Sequence, residues 1–82
     1  MYYQVQFKAK AIKDCKNIHK GHLRLLFEKI ELMRDNLGGD VKKLTDFTPE
    51  YRLRVGTYQV LFEIENDTII IYRIAHRKDV YN

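Results

Sequence analysis

Two arginines in the second half of the chain have the spacing of a phosphate-binding pair. Arg52 and Arg54 flank Leu53 in residues 51–55, whose strict alternation of polar and apolar side chains predicts a β-strand. Both arginines then lie on one face, about 7 Å apart, which suits neighbouring phosphates of RNA. The polar face of any half-buried strand gives the same pattern, and spacing alone favours that simpler explanation.

A second group of reactive side chains lies at the C-terminus. Residues 76–81 read His-Arg-Lys-Asp-Val-Tyr and follow a strongly apolar segment. The end of a buried strand can hold side chains rigidly and still expose them. Imidazole is well suited to proton transfer near neutral pH, but strict alternation would point His76 and Arg77 to opposite faces, so Arg77 ranks above His76. The alternative is a frayed polar tail.

Other chemistries are disfavoured by the residue types present. The chain has no serine, no glycine-rich phosphate loop and no paired-cysteine motif. His19 and His22 are three residues apart, but Gly21 between them spoils the geometry of a metal pair. Cys15 is the only cysteine and falls on an apolar helical stripe, which predicts core packing rather than a nucleophile. We therefore expect neither a metal nor a cofactor.

Composition indicates the number of domains, the type of partner and the cellular compartment. The 82 residues fit a single domain, 1–82, and the net charge of +4 suits a polyanionic partner. A lone cysteine agrees with a reducing compartment. No apolar run approaches the ~18 residues of a membrane span, and the start lacks a signal-peptide pattern. The sequence predicts a cytoplasmic protein.

The order of elements follows from hydrophobic periodicity. Residues 2–7 alternate as a strand, residues 8–19 have helical spacing that ends where Gly21 breaks it, and a longer helical stripe starts at His22. The stripe consists of Leu23, Leu26, Phe27, Ile30, Met33 and Leu37. Residues 36–39 supply its stop, because glycine accepts the left-handed cap conformation. Strands follow at 51–55, 58–65 and 68–75, with a two-residue turn at Gly56-Thr57.

These elements predict an α+β fold of order β-α-α-β-β-β. An antiparallel sheet of about four strands carries a helical hairpin on one face, and residues 43–45 are the candidate extension of the sheet edge. The opposite face should expose Arg52, Arg54 and Gln59 to solvent. Leu25 and Leu32 lie off the main helical stripe, where they either complete the packing against the first helix or contact a partner.

Three stretches together resemble the RelE/ParE toxin superfamily, specifically its RelE branch: residues 41–44, residues 51–62 and residues 76–81. The likeness covers nearly the whole chain. It implies the toxin of a type II toxin–antitoxin pair, which enters the ribosome and cleaves messenger RNA without a metal. The 2′-hydroxyl attacks the neighbouring phosphate, and a RelB-like acidic antitoxin holds the toxin inactive.

The resemblance also implies roles for individual residues. Arg52 and Arg54 match the basic pair beside the attacking oxygen and the phosphate. Arg77 matches the arginine that helps the leaving group, and Tyr81 the tyrosine that orients or stacks on the cut nucleotide. His76 is the further candidate for proton transfer. The residues expected to contact RNA without taking part in the chemistry are Gln59, Lys78 and Lys43.

One departure from the family pattern keeps alternatives open. Relatives commonly have arginine where this chain has Gln59, so one phosphate-stabilising cation is missing. A catalytically weakened toxin, acting mainly as an antitoxin-binding corepressor, is therefore one alternative. A ParE-like gyrase inhibitor is another, although the basic strand pair with a terminal Arg and Tyr favours the ribonuclease.

Overall fold

The structure is a computed structural model that describes the backbone of residues 1–80 and the side chains of residues 1–78. A five-stranded sheet forms its centre, in the order β1-β5-β4-β3-β2. The strands are β1 (Gln4–Phe7), β2 (Val41–Lys43), β3 (Tyr51–Val55), β4 (Tyr58–Glu65) and β5 (Thr68–His76). The helices are α1 (Ala9–Lys16), α2 (Lys20–Met33) and a short C-terminal α3 (Arg77–Val80).

This arrangement confirms the α+β class and corrects two details of the sheet. It has five strands instead of about four, because residues 41–43 pair with β3, slightly ahead of the 43–45 segment expected at the edge. It is also mixed: β1 runs parallel to β5, with Gln4 beside Thr68 and Phe7 beside Ile71. The helices α1 and α2 connect β1 to β2 at the opposite edge of the sheet, so the parallel partner of β1 is the last strand of the chain.

Two tight turns set the register of the last three strands. Val55 pairs with Tyr58 across the Gly56-Thr57 turn, where Gly56 has a φ of +59°. Glycine adopts that conformation without steric cost. The second turn, at residues 66–67, joins β4 to β5, and Glu65 pairs with Thr68. The predicted turn at Gly56-Thr57 is confirmed, and β5 is an inner strand in which Ile69, Ile71 and Ile74 are buried.

The helix boundaries differ from those predicted from the positions of the glycines. Gly21 does not break the helices, since α2 already begins at Lys20. The cap is His19, whose Nδ1 accepts a hydrogen bond from the Gly21 N–H at 3.2 Å and so satisfies a free donor of the first turn. At the other end α2 stops at Met33, and Asn36 and Leu37 adopt the left-handed conformation.

The core lies between the sheet and the pair α1/α2. Leu26, Ile30 and Met33 of α2 and Ala11 of α1 are buried against one face of the sheet. That face presents Leu53, Val55, Val60, Phe62, Ile69, Ile71 and Ile74. The predicted packing of the α2 stripe is confirmed except at Phe27, which is 44% exposed and meets Phe7 edge to face.

A partly buried polar contact fixes α1 to the sheet. The Asp14 carboxylate accepts hydrogen bonds from Arg73 Nε at 2.8 Å and from the Ile74 N–H at 2.9 Å. It therefore occupies the edge of β5 beyond the last residue that β1 covers. The hydrogen bond that Arg73 donates to Asp14 raises the pKa of the Arg73 guanidinium.

Truncating Ile30 to alanine should lower the free energy of unfolding by about 2–4 kcal/mol, because the side chain is 4% exposed and a cavity would remain. Leu32→Ala is the matched control on the same helix, and since Leu32 is 58% exposed its effect should stay below about 0.5 kcal/mol. Urea unfolding measures both. Equal losses for the two variants would contradict this packing of α2.

None of the helices within the described part of the chain is long and apolar enough to cross a membrane.

Candidate nucleic-acid interface

The site residues predicted from β3 and β4 lie on the face of the sheet opposite α1 and α2, called here the distal face. Arg52 and Arg54 alternate with the core residues Leu53 and Val55, and Gln59 alternates with Val60. The register places Arg54 directly beside Gln59 and Arg52 beside Leu61. Arg54 and Gln59 are therefore direct neighbours across the hairpin.

The expectation that this face is open to solvent is wrong for two of the three polar residues. Arg52 is only 6% exposed and Gln59 is 0% exposed, while Arg54 is half-buried. Leu61 and Ile70 on the same face are buried as well. Long side chains of paired strands cover one another here, and Arg52 is held down by contacts with Asp40. The distal face is a partly closed surface with one buried arginine, Arg52, and one half-buried arginine, Arg54.

Arg52 and Arg54 differ in their electrostatic surroundings. Arg52 Nη1 donates to the Asp40 carbonyl oxygen at 2.7 Å and lies 3.2 Å from Asp40 Oδ1. Arg54 forms no ion pair with any described carboxylate, and its buried Nε has no hydrogen-bond partner there. Leaving a buried donor of a cation unsatisfied costs free energy unless a ligand completes it. Arg54 is thus the charge best placed to receive an anion.

Arg77 lies at the same end of the sheet as Arg54. Ala75, Gln59 and Arg54 form a row across β5, β4 and β3, with about 5 Å between neighbouring strands. Arg77 follows Ala75 by two residues, is exposed, and donates its backbone N–H to the Thr57 carbonyl oxygen at 2.7 Å. This bond holds the start of α3 against the β3–β4 turn, which places Arg77 next to the row.

His76 belongs to a different surface. Its ring packs against Tyr58, with 5.6 Å between ring centroids, and the Tyr58 ring in turn contacts His22 of α2. The His76 Nδ1 accepts the Lys78 N–H at 3.3 Å and so caps the short α3. The strand ends at His76, so strict alternation does not extend to Arg77, but His76 lies on the side of the helices. The structure therefore separates it from Arg54 and Gln59.

The remaining predicted residues are dispersed. Lys43 pairs with Tyr51 rather than with an arginine, and its Nζ lies 3.6 Å from Glu50 Oε2, so it does not join the distal face. Lys78 is exposed in α3. Tyr81 lies outside the described residues.

Two residues of this face were missed by sequence reasoning. Lys42 pairs with Arg52 and is exposed, which adds a cation at the sheet edge. Asp40 directly precedes β2 and contacts Arg52. The pattern of residues 41–44 was visible, but only the register of β2 against β3 shows that Lys42, and not Lys43, shares the face of Arg52.

The net charge of the chain is concentrated elsewhere. Residues 8–20 hold five lysines and one aspartate, a net charge of +4 that equals the net charge of the whole chain. The lysines, called here the lysine flank, are exposed on α1 and beside it, while the aspartate is Asp14, already bonded to Arg73. The positive net charge of the chain therefore does not by itself identify the distal face, where Arg52 is buried and Arg54 half-buried.

The candidates for other chemistries have structural roles. Cys15 is partly buried against the core, and burial, with a smaller contribution from Asp14, raises the pKa of its thiol, which disfavours a nucleophilic thiolate. In the described part of the chain no three His, Cys, Asp or Glu side chains converge as metal ligands would. Leu25 and Leu32 are 42% and 58% exposed, so the alternative in which they complete the packing against α1 is wrong.

Comparison with known proteins places this geometry in a family. A family model described as the ParE toxin of the type II toxin–antitoxin system parDE matches residues 5–81. Toxin RelE3 of Methanocaldococcus jannaschii is 35% identical over an alignment 85 residues long, gaps included, that covers 96% of each chain.

Two solved structures extend the comparison. The RelB–RelE antitoxin–toxin complex of Methanococcus jannaschii matches with a TM-score of 0.77 and 34% identity, over 92% of this chain and 93% of that one. The toxin–antitoxin complex RelBE2 of Mycobacterium tuberculosis matches with a TM-score of 0.77 and 28% identity, over 94% and 100% of the two chains.

Proposed function

Since this chain belongs to the RelE/ParE family of type II toxin–antitoxin toxins, with RelE proteins among its relatives, we propose that it is a cytoplasmic endoribonuclease that cuts messenger RNA on the ribosome. The observation that carries the proposal is Arg54, a half-buried cation without a carboxylate partner among the described residues, beside Gln59 on the distal face. A phosphate of the message would complete its hydrogen bonding.

The proposed reaction is an attack of the RNA 2′-hydroxyl on the adjacent phosphate. A 2′,3′-cyclic phosphate forms, the bond to the 5′-oxygen breaks, and the 2′-hydroxyl proton is lost as the 5′-oxygen gains one. The arginines act as fixed charges, because guanidinium groups do not give up their protons in proteins. Arg54 stabilises the negative charge of the phosphorane, and Arg77 stabilises the departing 5′-oxygen.

The other predicted residues receive narrower roles in this proposal. Gln59 offers a neutral hydrogen bond beside Arg54, and Lys42 and Lys78 bind the RNA backbone. His76 caps α3 and orients the start of the C-terminal segment, so it is not assigned the proton transfer. The role of Tyr81 in stacking on the cut nucleotide stays a prediction from the family.

A RelB-like acidic antitoxin is the proposed partner. The related structures are complexes of RelE with RelB, and two features of this chain suit an acidic, partly apolar segment. Leu25 and Leu32 leave apolar area exposed on α2, and the lysine flank offers positive charge on α1. Binding there would bury surface that an 82-residue domain leaves uncovered.

The test is a translation reaction programmed with a reporter message, to which the purified chain is added, followed by mapping of transcript ends. We expect cuts within the message that end in a 2′,3′-cyclic phosphate, appear only with ribosomes, and vanish when the antitoxin is supplied. Messages that stay intact in every reaction, with or without ribosomes, would contradict the ribonuclease proposal.

A gyrase inhibitor is the second candidate, because the matching family model is described as ParE. A DNA supercoiling assay with purified gyrase distinguishes the two. Inhibition of supercoiling, together with intact messages, would favour the gyrase function, and activity in neither assay would favour the weakened toxin that acts through its antitoxin.

A further inference from the structure

Asp40, at the edge of the distal face, contacts both arginines of β3. Its carbonyl oxygen accepts hydrogen bonds from Arg52 Nη1 at 2.7 Å and from the Arg54 N–H at 3.0 Å. Its carboxylate Oδ1 lies 3.2 Å from the same Arg52 nitrogen. The Arg52 side chain is 7% exposed, whereas the Asp40 side chain is 57% exposed. Asp40 thus links the two arginines and remains accessible itself.

The glycines before Asp40 fix its position. Gly39 has a φ of +102°, and a Cβ built on it would lie 3.3 Å from Leu53 Cδ1. A side chain there would meet both backbone strain and the core residue between the two arginines. The turn after α2 therefore enters β2 close against β3, which presents the Asp40 carbonyl to the backbone of Arg54 and to the side chain of Arg52.

The charges on this strand face are unequal as a result. Arg52 and Arg54 stand about 7 Å apart on β3, and Asp40 is the described carboxylate that reaches either of them, contacting Arg52 only. An RNA phosphate that approaches Arg52 must compete with a carboxylate already in place and must come close to its negative charge. Arg54 presents no such obstacle.

We propose that Asp40 is a positioning residue that withholds Arg52 from RNA, so that the phosphate is received by Arg54. The inference rests on the proposed function of the distal face as an RNA site and adds the residue that sets its affinity. Asp40→Asn removes the carboxylate charge and keeps the backbone carbonyl, so the charge of Arg52 is no longer neutralised and adds to the attraction of an RNA phosphate.

The experiment measures binding of a single-stranded RNA with 2′-O-methyl riboses, which cannot be cut, by fluorescence anisotropy at a series of salt concentrations. Asp40→Asn should lower Kd about three- to fivefold and steepen the slope of log K against log salt by about 0.7, the value of one further contact on single-stranded nucleic acid. Asp40→Glu keeps the charge and should keep the wild-type slope.

Two further variants separate this role from a general change in charge. Glu28→Gln removes one negative charge from the exposed surface of α2 and should change Kd less than about twofold. Adding Arg52→Gln to Asp40→Asn should abolish the gain, because the proposed gain comes through Arg52. A purely structural role for Asp40 predicts lower thermal stability with no change in the salt slope.

Three outcomes would overturn the inference: an unchanged slope in Asp40→Asn, a gain that persists without Arg52, or slower cleavage at unchanged RNA affinity, which would place Asp40 in the chemistry. Its failure is distinguishable from failure of the proposed function. Wild-type chain that cuts messages on ribosomes while Asp40→Asn gains no affinity defeats this inference alone. Wild-type chain that neither binds the RNA nor cuts messages defeats both.

Discussion

Replacing Arg54 by glutamine should slow ribosome-dependent cleavage by about 30- to 1000-fold, whereas Arg52→Gln should slow it less than about tenfold. One oriented charge beside a developing phosphorane contributes about 2–4 kcal/mol to the stability of the transition state. Arg54 can supply that charge, because no described carboxylate pairs with it. Arg52 is already bonded to Asp40 and neutralised by it.

The two rates are best compared in single-turnover reactions on message-loaded ribosomes, with thermal melting of each variant as the control for folding. Arg54→Lys should recover part of the rate, since it keeps the charge and loses the forked geometry of guanidinium. Equal losses for Arg52→Gln and Arg54→Gln would show that the two cations act alike, against the unequal surroundings seen here. An unchanged rate in Arg54→Gln would remove the distal face from the reaction.

Much of the fold follows from local pattern in the sequence. The alternation of residues 51–55 and 58–65 and the turn at Gly56-Thr57 determine a hairpin, and its register then follows from the two-residue turn. The stripe containing Leu26, Ile30 and Met33 identifies the buried face of α2 in the same way. In each case the periodicity of burial is a property of adjacent residues, so one sequence is sufficient.

Features that join distant residues could not be read in this way. The parallel pairing of β1 with β5 joins residues 4–7 to residues 68–71. The local pattern of a strand does not show with which other strand it pairs. The low helix propensity of Gly21 predicts a helix break. The cap that His19 provides one residue before α2 instead allows the helix to include Gly21. Tertiary contact and capping outweighed intrinsic preference at both places.

The same limit explains the errors in the site. Alternation correctly placed Arg52, Arg54 and Gln59 on one face, but it could not show that neighbouring side chains bury Arg52 and Gln59. Nor could it show Asp40, because its contact with Arg52 depends on how β2 pairs with β3. The arginine that is neutralised is the one that lies close to Asp40 in three dimensions, namely Arg52. For this reason Arg54, and not Arg52, is expected to have the larger effect on catalysis.

Gln59→Arg should raise cleavage by on the order of 30- to 1000-fold, but at a cost in stability that the sequence alone did not predict. The sequence predicts an exposed side chain at this position, whereas Gln59 is 0% exposed and lies directly beside Arg54. A second cation there adds charge to the phosphate site, which favours the transition state. Burying it next to a like charge should lower the free energy of unfolding by about 1–3 kcal/mol.

The opposite substitution provides the matched test at the same position. Gln59→Glu is nearly the same size, and its carboxylate would pair with Arg54, so it should slow cleavage about as much as Arg54→Gln while disturbing stability less than Gln59→Arg. Single-turnover cleavage and urea unfolding of the two variants measure both effects. If arginine and glutamate change the rate in the same direction, the charge beside Arg54 does not control the reaction, and the residue at position 59 acts through packing alone.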